Sequence, residues 1–182
     1  MSSRPESRAD ARTEFAAALT GIVGLRLLDV CYHVLRRTPA QCSIDELSIE
    51  EVELRFATGR VVFVTWGQGR GWPGDCSMVA STHTRGAHAD SYLEVAATDE
   101  PLWSAHVGQL LCAVEVLGSN RTPHVVRLVF ASGAVLVGSG SEDRTYGDGL
   151  DVLARPDEPR FCPGFDILWT ERRRPPEKAE GQ

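Results

Sequence analysis

From residue 52 the chain alternates with a period of two. Val52, Leu54 and Phe56 are apolar, and Glu53 and Arg55 stand between them. That period predicts a strand with one face on a core and the other turned away from it. The stretch "ATGR" follows, then the apolar run "VVFV", so a hairpin is expected with Gly59 supplying the positive φ of its turn. Seventy-four residues later the phrase returns. Val126, Leu128 and Phe130 repeat the inward set, and "ASGA" repeats the turn with Gly133. Of the ten positions 52–61 set against 126–135, six are identical.

The correspondence extends both ways. With one residue dropped from the second copy, Gly67 meets Gly140, Gly74 meets Gly147 and Asp75 meets Asp148. Upstream, "IVGLRLLDV" (22–30) resembles "HVGQLLCAV" (106–114), with Gly24 opposite Gly108. The first copy carries extra residues within "RRTPAQCSIDELSI", where Ser43 and Glu46 have capping-box spacing. Beyond Asp75 and Asp148 the match slips: Cys76, Met78 and Ala80 run one residue out of phase with Leu150, Val152 and Ala154.

A unit of strand, hairpin, long loop and strand has one apolar sheet face and too little core to stand alone. Two such units laid face to face cover each other. The expected fold is therefore mostly β: antiparallel sheets from an internal duplication, two hairpin-containing halves sharing one core. A short N-terminal helix is expected from Thr13 to Thr20. Residues 15–170 form the predicted compact domain, with a first half at 15–96 and a second at 101–170, between polar tails at 1–14 and 171–182. "FDILWT" (165–170) reads as a closing strand, and Trp103 as a core or seam residue in the link between halves.

Composition narrows the partners. The net charge is −6; the tails carry 0 and +1, so the body carries −7. That repels phosphate backbones and argues against nucleic acid, while suiting a basic protein partner. Lys178 is the only lysine against eighteen arginines, as in GC-rich bacterial coding sequences. The five cysteines are odd in number and scattered without a C-x-x-C, which fits small thiols in a reducing cytosol. "FAAALTGIVGL" (15–25) is too short to span a bilayer and lacks the flanks of a signal peptide. The expected location is cytoplasmic, with no membrane association.

Three stretches carry candidate chemistry. "WGQGRGWPGD" (66–75) sets two tryptophans and an arginine among glycines, and its counterpart "GSGSEDRTYGD" (138–148) carries Glu142, Asp143, Arg144 and Tyr146. The first lacks the lysine and the following helix that a phosphate-cradling loop requires. Aromatic and arginine side chains are instead the types that dominate binding hot spots. Trp66, Arg70, Trp72, Asp75, Glu142, Asp143, Arg144, Tyr146 and Asp148 are therefore the expected partner-binding residues. In "THTRGAHAD", His83, His88 and Asp90 have metal-ligand chemistry without a standard zinc spacing. In "LDVCYHV", Asp29, Cys31 and His33 share one strand face, opposite Leu28, Val30, Tyr32 and Val34. Those are the ingredients of a cysteine nucleophile, on the side expected to be wetter.

The reading that follows is a non-enzymatic, cytoplasmic protein-binding module, of bacterial immunity or antitoxin type, with no catalytic residue, metal or other cofactor. The alternative is a small hydrolase or metal-dependent enzyme using Cys31 and His33, or His83, His88 and Asp90.

Overall fold

Val52, Leu54 and Phe56 are buried, as their alternation predicts, and they lie in a strand that pairs on both sides. The structure, a computed structural model, describes residues 15–35, 49–67, 77–83, 92–119, 122–139, 150–154 and 164–173. A helix, α1 (15–20), leads into β1 (Leu27–Leu35), β2 (Ile49–Phe56), β3 (Val61–Gly67), β4 (Ser77–Ser81) and β5 (Tyr92–Ala96). A single helical turn, α2 (Pro101–Ser104), opens the second half. Then come β6 (Ala113–Ser119), β7 (Thr122–Phe130), β8 (Gly133–Ser139), β9 (Leu150–Ala154) and β10 (Asp166–Arg172). Helix α1 falls within the expected 13–20, and "FDILWT" does form the closing strand.

Two antiparallel five-strand sheets result, with the same internal order. The first runs β5-β1-β2-β3-β4 and the second β10-β6-β7-β8-β9. The registers match as well. Val30 faces Leu54 where Val114 faces Leu128, and Tyr32 faces Val52 where Val116 faces Val126. The sheets pack with β4 against β7, and their inner side chains make one shared core. Trp103, Leu19, Ile22, Phe56 and Leu128 are among its fully buried members. Trp103 donates its indole N–H to the Tyr32 hydroxyl at 2.6 Å, tying α2 of one half to β1 of the other. It is a seam residue, as the sequence suggested.

The seam itself has local two-fold symmetry. Gly24 N donates to Leu111 O at 2.8 Å, and Gly108 N to Leu27 O at 2.8 Å. Leu111 N donates to Leu25 O, and Leu27 N to Gln109 O. With Gly24 matched to Gly108, each pair of bonds exchanges its members, and the bridge Arg26↔Leu110 sits on the axis between them. Gly24 and Gly108 have φ of 86° and 83°, a left-handed turn that L side chains resist. This is why the glycine repeats in both copies.

Several details differ from the sequence reading. The first hairpin loop holds Ala57, Thr58 and Gly59, whereas Phe130 pairs directly with Gly133 across a two-residue loop. Gly133 thus occupies the place of Arg60, one residue from where the sequence match puts it, and the shorter loop accounts for the dropped residue. Register also restores the phase of the later strands. Met78 faces Trp66 where Leu150 faces Ser139, so Met78 corresponds to Leu150 and Ala80 to Val152. The connection between them is one residue shorter in the second half. β10 continues to Arg172, two residues past the expected boundary at 170, because Glu171 and Arg172 still pair with Val114 and Ala113. The Ser43–Glu46 capping box lies outside the described residues.

Both glycines keep a positive φ, 75° at Gly59 and 149° at Gly133, and Thr58 adds an unforeseen one at 74°. Gly59→Val and Gly133→Val are each expected to lower stability by ~1–3 kcal/mol through backbone strain. Thr58→Asn should act in the opposite direction by up to ~1 kcal/mol, since Asn tolerates this conformation better than a β-branched residue. Urea unfolding of the three variants tests the signs.

Candidate functional site

Tertiary pairing assembles a polar cluster on the outer face of the first sheet. Alternation along β1 sends Val30, Tyr32 and Val34 into the core and Asp29, Cys31 and His33 the other way. Leu28 does not join the apolar face. A register shift between Leu27 and Asp29 turns it outward, and it is 50% exposed. Across the sheet Cys31 faces Glu53 on β2 and Ala96 on β5, while His33 faces Glu51 and Glu94.

Glu53 is the centre of the cluster. Its Oε2 lies 2.9 Å from His33 Nε2, and its Oε1 accepts from Arg55 Nε at 2.6 Å. The Cys31 sulfur, the His33 ring nitrogen and the Glu53 carboxylate all lie within 4.8 Å of one another. The Phe63 ring meets His33 edge-on, with centroids 6.0 Å apart. Asp29, the carboxylate that the strand pattern put beside the thiol, belongs elsewhere. It accepts from Thr98 Oγ1 and from its neighbour's amide, Val30 N, and pairs with Arg55 Nη1 at 3.3 Å.

The expectation of a wetter face fails for this cluster. Cys31 is 7% exposed and Glu53 6%, and β2 is buried on both faces from Glu51 to Leu54. Burial, followed by the charges of Glu53 and Glu94, pushes the Cys31 thiol up, with Arg55 pulling weakly the other way. Burial alone would raise the Glu53 carboxyl too. Hydrogen bonds from Arg55 and His33 outweigh it and hold the group below its usual range. The Cys31 Sγ–H points to Tyr32 O at 3.7 Å. A nucleophilic cysteine requires the reverse arrangement, with cations stabilising its thiolate. What the cluster presents is a thiol, an imidazole and an ionised carboxylate converging on one small volume.

Matched positions in the second sheet hold a different solution. Register puts Glu115 where Cys31 stands, Leu117 where His33 stands and Arg127 where Glu53 stands. Glu115 is 4% exposed and is bonded to Arg127 and, at 2.9 Å, to Arg172. Each sheet therefore buries a carboxylate within the same outward-facing cross-strand pair, on its second strand in the first sheet (Glu53) and on its first strand in the second (Glu115).

No family model, no curated protein and no solved structure matches this chain.

The other sequence-predicted residues are only partly placed. Trp66 lies on β3 opposite Met78. Arg70, Trp72, Asp75, Glu142, Asp143, Arg144, Tyr146 and Asp148 lie outside the described residues, as do His88 and Asp90. His83 is exposed beyond the end of β4, its Nδ1 3.1 Å from Thr82 Oγ1, so it stands apart from the cluster around Cys31. Glu53 and Arg55 were missed as site residues. Their signal was present in the sequence, since both occupy the outward phase of "VELRF", but only the β1–β2 register sets Glu53 opposite Cys31.

The anchors of the two long loops can be compared through the strands that carry them. Residues 68–76 join β3 to β4, and 140–149 join β8 to β9. Ile49, at the start of β2, pairs with Leu150, the first residue of β9. Ile49 has Val34 of β1 on its other side, so Leu150 takes the place along β2 that β3 fills from Glu51 onward, where Thr65 is the partner. The end of β3 and the start of β9 thus lie along the same edge of β2 at its first residues, so each long loop has an anchor at this corner.

Proposed function

We propose that the chain is a non-enzymatic binding module whose paired loops, 66–75 and 138–148, form one surface for a protein partner. The supporting observation is the Ile49–Leu150 corner, from which both loops leave the sheets. Neighbouring anchors make a joint surface geometrically available, and the loops bring to it Trp72, Arg70, Arg144 and Tyr146, the residue types that dominate binding energetics. The body charge of −7 favours a basic partner by steering encounter. An acidic protein that occludes a basic toxin, as a bacterial immunity protein or antitoxin does, is the specific form proposed, acting in the cytoplasm. No helix among the described residues is long and apolar enough to cross a membrane. The raised thiol of Cys31 also favours binding over nucleophilic chemistry.

Trp72→Ala combined with Tyr146→Ala is expected to weaken binding of the partner recovered from the native host by at least ~30-fold, the effect of removing one hot-spot side chain worth 2 kcal/mol. The melting temperature should stay within about a degree or two of the parent, as surface substitutions away from core and caps do. Calorimetric titration and a thermal scan of the same variant measure both. Retained binding, or a collapse in melting temperature, defeats the reading.

A further inference from the structure

The buried carboxylates on the two outer faces are neutralised unequally. Glu115 has Arg127 beside it, a cation built into the sheet with its side chain 12% exposed. Among the described residues Glu53 has the outer Arg55, 46% exposed, together with His33, and faces a thiol rather than a guanidinium. A second carboxylate, Glu94, adds its negative potential at Cys31. The first sheet has therefore gathered negative charge and soft ligands where the second has placed a fixed positive charge.

We propose that Cys31, His33 and Glu53 form a binding site for a zinc-type divalent cation, held by one thiolate, one imidazole and one carboxylate. The ligand chemistry selects this class. Sulfur with imidazole and carboxylate suits zinc and its borderline neighbours, whereas calcium and magnesium require oxygen. Distances agree. Metal–ligand bonds of about 2.0–2.3 Å in a tetrahedron put donor atoms ~3.3–3.6 Å apart. The three donors here span 2.9 Å between His33 and Glu53 and at most 4.8 Å elsewhere, so side-chain adjustments of about an ångström close the site.

Coordination replaces existing contacts. The cation takes the place of the proton between His33 Nε2 and Glu53 Oε2, and the imidazole proton moves to Nδ1. Cys31 binds as thiolate and releases one proton to solvent. The dipositive ion then meets two negative ligands. Glu53 Oε1 stays on Arg55 Nε, an outer contact that orients the carboxylate. A fourth position is left for water or for the exposed Glu94, which faces His33 from β5.

This site lies apart from the loops proposed to hold a protein, and its test is independent of them. The full-length chain, stripped with a chelator, is titrated with zinc against a chromophoric competitor and separately with cobalt. One tight equivalent is expected, with a thiolate-to-cobalt charge-transfer band in the near ultraviolet. Cys31→Ser should abolish the band. His33→Ala and Glu53→Gln should each weaken zinc binding by at least ~10-fold, since even an outer-shell partner is worth that much. His83→Ala should change neither readout. Absence of stoichiometric binding or of the band in the native chain, or binding that survives Cys31→Ser or follows His83, overturns the proposal. Absence of the band in the native chain overturns the proposal even if a variant fails to fold.

Discussion

Phe56→Ala and Phe130→Ala should each lower the unfolding free energy by ~3–5 kcal/mol, the range for emptying a buried aromatic site. Both side chains belong to the shared core, at 1% and 3% exposure, and each ends the second strand of its half just before the hairpin. Their surroundings differ in one respect. Phe130 stacks on His106 with centroids 4.9 Å apart, and His106 is fixed through Nδ1 to Ser132 Oγ at 2.6 Å. Its loss therefore also strips a packed face from a buried imidazole. Equilibrium urea unfolding of both variants measures the costs. A loss confined to one of them would mean that the halves carry unequal shares of the core despite their common topology.

Arg127→Ala is expected to cost about 3 kcal/mol, the low end for breaking a buried ion pair. The low end applies because Arg172 still reaches Glu115, although its side chain is 70% exposed and solvent screens much of that contact. The loss comes from a carboxylate left at 4% exposure without its inner partner. Replacing both charges, with Glu115→Leu and Arg127→Met together, should recover most of the loss, as well-packed apolar substitutes for a buried pair commonly do. The double-variant unfolding free energy decides it. A double variant as unstable as Arg127→Ala would show that the arginine stem, rather than charge pairing, supports this face.

Much of the strand layout was legible from local pattern. "VELRF" and "VRLVF" have the period of two, and Val52, Leu54, Phe56, Val126, Leu128 and Phe130 are buried as that period requires. The glycines at 24 and 108 were legible as a repeat, and their φ values supply the cause. Outer-face chemistry was much less so. Alternation along β1 put Cys31 and His33 on one side, and it suggested Asp29 as their carboxylate because Asp29 is near in sequence. Glu53, twenty residues away, takes that role, and Asp29 turns to Thr98 and Arg55. Burial on that face was also illegible, because a period of two assigns sides and not depth. β2 and β6 are interior strands, paired on both sides, and both faces of each are buried over most of their length.

The sequence by itself determined that this chain forms two alike antiparallel halves with a common interior, because side-chain alternation and left-handed glycine turns are local properties of the backbone. Only the tertiary structure decided which residues from distant strands share a place. Register set Glu53 beside Cys31 and Arg127 beside Glu115, and the Ile49–Leu150 pairing brought both loop anchors to one corner. Shifting a strand by one residue sends every side chain to the opposite face, and that choice depends on packing the whole core at once.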